Sequence, residues 1–352
     1  MTLERSSDLS ADSLSLEHFF LQSVDYPQRL KAGILLAVSG GADSVAMLCC
    51  FAALSKQMPT HNAAIQVAHV NHALRGGESD DDAVFVRKLA AQFGFASLET
   101  RLTSEMFDAD ESGSFEAAAR KLRYDFLQRT AEQNSLRYVA LAHNADDQAE
   151  TILHRILRGT GIAGLAGIPP FRPLGEAVMI IRPMLSFSKK QILAYLAAID
   201  QPFRTDSSNA ESQYTRNKIR NDLLPQLASG YNPNVVEAFV RLGSQAADWA
   251  TYIHSQTDAL FDRVVIFQPH KTFVQVEQLA DVPTLLIREL FVMIWSRQHW
   301  HLRDMTFVHW ERLAEMATSR LQTPQKQTFP GNIIAERTDA RLILYKLKQA
   351  TE

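Results

Sequence analysis

The sequence predicts an α/β protein, with a parallel sheet covered on both faces and then a smaller, mainly helical domain that closes on a β-hairpin. Three observations predict it. Short apolar runs alternate with longer helical patterns through the first two-thirds of the chain, as strand–helix–strand units with doubly buried strands require. After residue 186 helical patterns dominate. Near the end, "NIIAERTDARLILYKL" sets Thr-Asp-Ala close to a turn between two apolar runs, the pattern of a hairpin.

In chain order, the predicted strands are "ILLAV" (34–38), "AIQVAHV" (64–70), "SLETRL" (97–102), "RYVALAH" (137–143) and "VMIIRPM" (178–184). Helices are predicted between them at about 44–57, 80–93, 115–133 and 146–157. Ser79 is placed to cap the second, with Asp80, Asp81 and Asp82 in its first turn, where the helix dipole favours negative charge. "SKKQILAYLAAID", "NPNVVEAFVRLGSQAADWATYIHSQTDALF" and "VPTLLIRELFVMIWSRQ" read as later helices. "SGYNPN" around Gly230 breaks the periodicity, so one domain is expected over 1–228 and a second over 229–352. In a parallel sheet, ligands collect beyond the carboxyl ends of the strands. "SGGADS", "HVNHALRGG" and "AHNADDQAET" each follow a predicted strand and are expected to meet at one edge.

Composition narrows the function. With 352 residues, 46% of them hydrophobic, the chain can fill a substantial core, and a net charge of -3 gives no overall attraction to nucleic acid, so any such binding must be local. The two cysteines, Cys49 and Cys50, are adjacent and read as small core residues rather than as a bridge. The first residues are polar and acidic, and no apolar stretch approaches membrane-spanning length, so a cytoplasmic protein without a membrane partner is expected.

The most informative stretch is "ILLAVSGGADSVAMLCCF" (34–51). Two glycines after a buried strand let the backbone turn sharply and approach a ligand. The unpaired N–H groups of the following helix start suit phosphate. No lysine follows as a Walker loop demands, and no G-x-G-x-x-G is present there. Asp43 discriminates further. A carboxylate in a phosphate cradle repels the ligand unless Mg²⁺ lies between them, so metal-bound ATP is implied. The competing reading is an ordinary tight turn with Asp43 as a helix-start charge.

With that string, "HVNHALRGGESDDDAVFV" (69–86), "EAAARKLRYDFL" (116–127), "ALAHNADDQAETILHRILRGTGIAGLAGI" (140–168) and "YTRNKIRNDLLPQL" (214–227) resemble one family. "SGGADS" resembles the PP-loop of the N-type ATP pyrophosphatases, and the whole set resembles the tRNA(Ile)-lysidine synthase family within them. The resemblance implies a Rossmann-like PP-loop ATPase domain and a ligase that uses ATP and Mg²⁺. Its substrates would be L-lysine and tRNA(Ile) with a CAU anticodon. ATP would adenylate the C2 oxygen of the wobble cytidine, and the lysine amine would displace AMP to give lysidine. Ser39, Gly40, Gly41, Ala42, Asp43 and Ser44 would bind ATP, with Asp43 also at the metal. A homodimer is compatible with this reading, and the sequence does not decide it. The last third resembles the family loosely.

The other motifs divide between bland and chemical roles. Asp147 and Glu150 lie three apart on one helical face; such a pair can hold Mg²⁺, bind an ammonium, take a proton from an amine, or simply favour a helix start. The resemblance places them at lysine recognition and base catalysis, with His143 and Asn144 lining the same pocket. Arg120 and Arg123 also lie three apart, beside Tyr124. On a surface helix they would be solvated charge; the resemblance gives them, Arg120 foremost, to the ATP phosphates. His69 and His72 lack further ligands at zinc-like spacing. The resemblance places His72 and Arg75, with Gly76 and Gly77, near nucleotide and tRNA; a strand end followed by a turn is the competing reading. "RGTGIAGLAGI" (158–168) has too many glycines for a helix interior and reads as an ordered loop. Arg216, Asn217, Lys218 and Arg220 form the best local basic cluster, and Arg216, Asn217 and Arg220 are expected to contact RNA. A tRNA thiolase and a binding module without catalysis are the rival readings.

Overall fold

The computed structural model describes Leu16 and residues 32–57, 65–71, 77–103, 106, 115–205, 215–319 and 325–347. The expectations for His72, Arg75 and Gly76 lie outside the described residues. The chain forms two compact units, Met1–Gln245 and Ala246–Glu352. The division falls within a 30-residue helix, Val235–Val264, and not at the Gly230 break. Gly230 instead ends the helix Leu224–Gly230.

The first unit is built on six strands: β1 (Ile34–Ala37), β2 (Ile65–Asn71), β3 (Ala96–Arg101), β4 (Tyr138–Ala140), β5 (Phe171–Leu174) and β6 (Val178–Ile181). Their order is β3-β2-β1-β4-β6-β5. β1 pairs in parallel with β2 and β4, β2 with β3, and β4 with β6. β5 runs antiparallel to β6; the sequence reading omitted it, because "FRPL" is short, carries a proline and is largely exposed, as only an edge strand can be. The five expected strands are all present, though β4 is shorter than its apolar run.

Alternation along the strands covers both faces. Ile34, Leu36, Val67, Ala140 and Ile181 pack with Met47 and Phe51 of helix α1 (Ala42–Gln57) and with Tyr195 and Leu196. Leu35, Ala68, Val139 and Ile180 point the other way, against Tyr124, Leu127 and Ala131. Helix α2 (Gly77–Gln92) begins before Ser79, so Ser79 lies in its first turn and does not cap it. Helix α3 (Phe115–Gln133) and helix α4 (Ala145–Leu157) complete the expected set. The glycine-rich stretch is a loop with one helical turn, Ile162–Leu165.

The second unit carries a five-stranded antiparallel sheet, β7-β8-β11-β10-β9. The expected hairpin is present: β10 (Ile333–Arg337) pairs with β11 (Arg341–Lys346). It is joined by β7 (Val265–Gln268), β8 (Lys271–Gln275) and β9 (Gln325–Phe329). Helices α5 (Thr284–Arg297) and α6 (Phe307–Thr318) supply Ile287, Leu290, Phe291, Trp295 and Leu313 to a core with Val274, Ile333 and Leu344. Trp295 is fully buried, with Trp300 and Trp310 edge-on at 4.9 and 5.4 Å. Among the described residues no helix is long and apolar enough to cross a membrane.

Candidate functional site

The loop after β1 is shaped by one glycine and one serine. Gly40 has φ +96°, a conformation glycine adopts without steric cost. A side chain there would meet neighbours only at ordinary contact distance, so backbone strain, not space, selects glycine. Ser44 is buried and braces the loop: its hydroxyl donates to the Gly41 carbonyl (2.9 Å) and accepts from the Ser39 amide (3.2 Å). Arg204 ties the bend down. Its amide donates to the Gly40 carbonyl (2.9 Å) and its guanidinium pairs with Asp82 (2.9 Å). His69 is a buried core histidine whose Nδ1 lies 2.8 Å from the Val38 carbonyl oxygen.

Asp43, in the first turn of α1, meets a residue that the sequence reading passed over. The Lys189 ammonium donates to both carboxylate oxygens, at 2.9 and 2.8 Å. The signal was legible: "FSKKQ" follows β6, so Ser188 caps a helix starting at the same sheet edge. Ser188 accepts from the Gln191 amide and opens Lys189–Ala198. The Lys189 amide in turn donates to Asp146 (2.6 Å). The ammonium stands where a cation satisfies Asp43, which fits Mg²⁺ held by this carboxylate with phosphate oxygens and water. Among the described residues no cluster of three or more His, Cys, Asp or Glu could hold a metal alone.

Asn144 joins this loop to the acidic helix. It caps α4, accepting from the Asp147 amide (3.0 Å) while Asp147 accepts from its own (3.1 Å), a reciprocal capping box. Its amide nitrogen then donates to Asp43 (3.1 Å). One buried side chain therefore fixes Asp43 relative to Asp147.

Asp147 and Glu150 face the basic segment. Glu150, 1% exposed, accepts from Arg216 Nε (3.1 Å), Arg220 Nε (2.5 Å) and a terminal Arg220 nitrogen (2.9 Å). Asp147 accepts from Arg220 (3.0 Å) and pairs with Arg216 at 3.5 Å. A π-helical turn, Ile219–Leu223, follows the short helix Thr215–Lys218. Both guanidiniums expected at RNA are thus turned onto the paired acids. Burial works against charge on Arg220, yet its bonds to Glu150 and the field of Glu150, Asp147 and Asp43 hold its pKa above the ordinary value.

His143 follows β4 and is pushed down to about 4, chiefly by burial; Asp147 opposes the shift, and Arg182, Arg123 and Arg120 reinforce it. It is a neutral imidazole at physiological pH, and its Nδ1 is buried without a partner. Beyond it, Arg120 and Arg123 of α3 lie over the Tyr124 ring, at 5.2 and 5.3 Å from its centroid. Arg172 and Arg182, absent from the sequence expectations, join them. The glycine-rich loop is pinned by Arg155, which donates to the Gly164 (2.9 Å) and Gly167 (2.8 Å) carbonyls. Gln148 supports it as well: a Cβ on Gly167 would stand 2.5 Å from the Gln148 side-chain oxygen.

The PP-loop domain family model matches residues 13–227. A tRNA(Ile)-lysidine synthase of Rhodopirellula baltica is 35% identical over 310 residues, covering 79% of this chain and 78% of that one. The protein of that name in Bacteroides thetaiotaomicron is 37% identical over 250 residues, covering 71% and 55%. That of Clostridioides difficile is 34% identical over 314 residues, covering 88% and 66%. The chain therefore spans between about half and four-fifths of the length of these relatives. Among solved structures, a U34-tRNA thiolase of Methanococcus maripaludis shares the fold at TM-score 0.54 and 17% identity, over 66% of this chain and 78% of that one.

Proposed function

The chain belongs to the tRNA(Ile)-lysidine synthase family of PP-loop proteins, and from that membership we propose that it ligates L-lysine to C2 of the wobble cytidine of a CAU-anticodon tRNA(Ile) at the expense of ATP. The observation that supports this reading best is the Asn144 bridge: a phosphate-binding loop and a paired-acid site are held together by one side chain that touches both Asp43 and Asp147. A nucleotide-activating centre and an ammonium-binding centre on one sheet edge suit a reaction that activates an oxygen and then displaces it with an amine.

The chemistry balances in two steps. The cytidine C2 oxygen attacks the α-phosphorus of ATP, the bond to the β-phosphate breaks, and pyrophosphate leaves. The lysine ε-nitrogen then bonds to C2, the C2–oxygen bond breaks, and AMP departs with that oxygen. Adenylation is needed because an oxygen double-bonded to carbon leaves poorly. The amine must lose its proton to attack, and Asp147 and Glu150 are the nearby acceptors. Before that, the two carboxylates suit the substrate ammonium, which competes with Arg216 and Arg220 for the same oxygens. Ser39, Gly40, Gly41, Ala42 and Ser44 form the phosphate loop around Asp43. Mg²⁺, when held by Asp43, would neutralise triphosphate charge; Lys189 offers that carboxylate a cation in the meantime. The anticodon base must leave its stack to reach the site. The cytoplasmic address rests on the sequence alone.

A thiolase is disfavoured, because Cys49 and Cys50 are buried inside α1 and cannot meet a substrate. The test is incorporation of radiolabelled lysine into unmodified CAU-anticodon tRNA. ATP-dependent labelling is expected, and Asp43→Asn should abolish at least about 99% of it, since a preorganised charge contact is typically worth 10²–10³ in rate. Release of AMP without lysine incorporation would sink the assignment of the acceptor.

A further inference from the structure

Tyr124 is 8% exposed and carries an unusual load of charge. The guanidinium carbons of Arg120, Arg123 and Arg172 lie 5.2, 5.3 and 4.9 Å from its ring centroid. Arg182 is the fourth cation acting on this phenol; one of its terminal nitrogens holds the Pro169 carbonyl at 2.6 Å. Among the described residues, no carboxylate forms an ion pair with any of the four. Arg123 Nε, Arg182 Nε and His143 Nδ1 are all buried without a hydrogen-bond partner. Arginine stays charged when buried, so the repulsion among the four is not relieved by losing a proton. Packing on one ring does not require so many cations, and three orphaned polar atoms in one neighbourhood call for a ligand.

The cluster has a floor and a mouth. Arg182, Tyr124 and the partly buried Arg123 lie inside; Arg120 and Arg172 are exposed. It sits at the ends of β4 and β6 and on the edge strand β5, whereas the phosphate loop follows β1. With strands about 4.8 Å apart, β6 and β5 lie roughly 10 and 14 Å from β1. Arg182 and Arg172, beyond β6 and on β5, therefore approach the sheet edge from a different part of it than the loop does. The ligand is anionic, has several acceptor oxygens, and is approached from solvent.

We propose that Arg120, Arg123, Arg172 and Arg182, gathered on Tyr124, form a second anion site that takes a backbone phosphate of the RNA substrate beside the reacting nucleotide. The inference rests on the functional reading above, in which the substrate is an RNA. It moves Arg120 and Arg123 from the triphosphate to the nucleic acid. It also gives Arg172 and Arg182 a role, that of positioning the strand so that the displaced base enters between the loop and the paired acids. Guanidiniums suit this because their fork matches phosphate oxygens.

The test uses the full chain, a fluorescent anticodon stem–loop RNA and anisotropy across roughly 50 to 200 mM salt. Arg172→Gln, on an exposed edge strand, should weaken RNA binding several-fold at low salt and reduce the slope of log affinity against log salt by about 1. Arg120→Gln with Arg172→Gln should reduce it by about 2, with MgATP affinity by equilibrium dialysis unchanged in both. Arg129→Gln, exposed elsewhere on α3, is the control and should leave the slope in place. An unaltered slope in the Arg172 variant overturns the inference alone, as does lost MgATP affinity, which would return the cluster to the nucleotide. A wild-type chain that binds no anticodon RNA removes the functional reading and this inference together.

Discussion

Glu150 and Asp147 draw the guanidiniums of Arg216 and Arg220 onto one pair of carboxylates. A basic run tells which charges are available; which anion they meet depends on where another segment's carboxylates come to lie. His143 illustrates the same dependence. Its sequence neighbours do not reveal that burial and three arginines hold it neutral. Because its folded pKa of about 4 lies below the ordinary imidazole value of 6.5, the unfolded chain binds the extra proton between those pH values. Its contribution is fully present above about pH 6.5 and is lost as pH falls toward 4. The loss is on the order of 2 kcal/mol, allowing for screening at its partly open face. Urea midpoints measured across this window should fall with pH, and His143→Gln should flatten that part of the slope.

Among elements, α4 matters most, because its first turn carries the cap, the paired acids and the link to the phosphate loop. "AHNADDQAET" forms the helix start beyond a strand that its sequence predicts, since Asn followed by acids satisfies free N–H groups and the dipole at once. Its cross-link to Asp43, 101 positions away, has no local signature. Asn144→Ala removes the cap, at a cost of about 1 kcal/mol, and also frees Asp43 from Asp147. Stability by urea titration should drop by that order, while ATP-dependent lysine incorporation should fall by roughly tenfold or more, as small misplacements do. A drop in stability with full turnover would deny Asn144 its bridging role. β5 and the strands β7, β8 and β9 escaped the sequence reading for a shared reason. Each is four or five residues long and carries exposed positions, so neither an apolar run nor a long alternation announces it.

At the scale of the whole molecule, two cores of different construction share one chain. The first is a doubly covered, mostly parallel sheet; the second packs helices on an antiparallel one. Trp295 anchors the second, so Trp295→Ala should cost that unit about 3–5 kcal/mol and leave the phosphate loop of the first unit able to bind nucleotide. Scanning calorimetry with and without MgATP checks this: the variant should lose stability in the second unit and keep the stabilisation that ligand confers. Loss of the nucleotide effect would mean that the loop depends on the second core.

The sequence by itself determined the alternating fold of the first unit, the bend at Gly40 and the acidic helix start, because each follows from interactions within a few residues: apolar periodicity, a positive φ and a cap. Only the tertiary structure decided that Lys189 meets Asp43, that the basic segment closes on Glu150, and that four arginines converge on Tyr124. Those contacts join groups from different strands and helices, and the chain sets their distances only after the sheet has brought its strand ends to one edge.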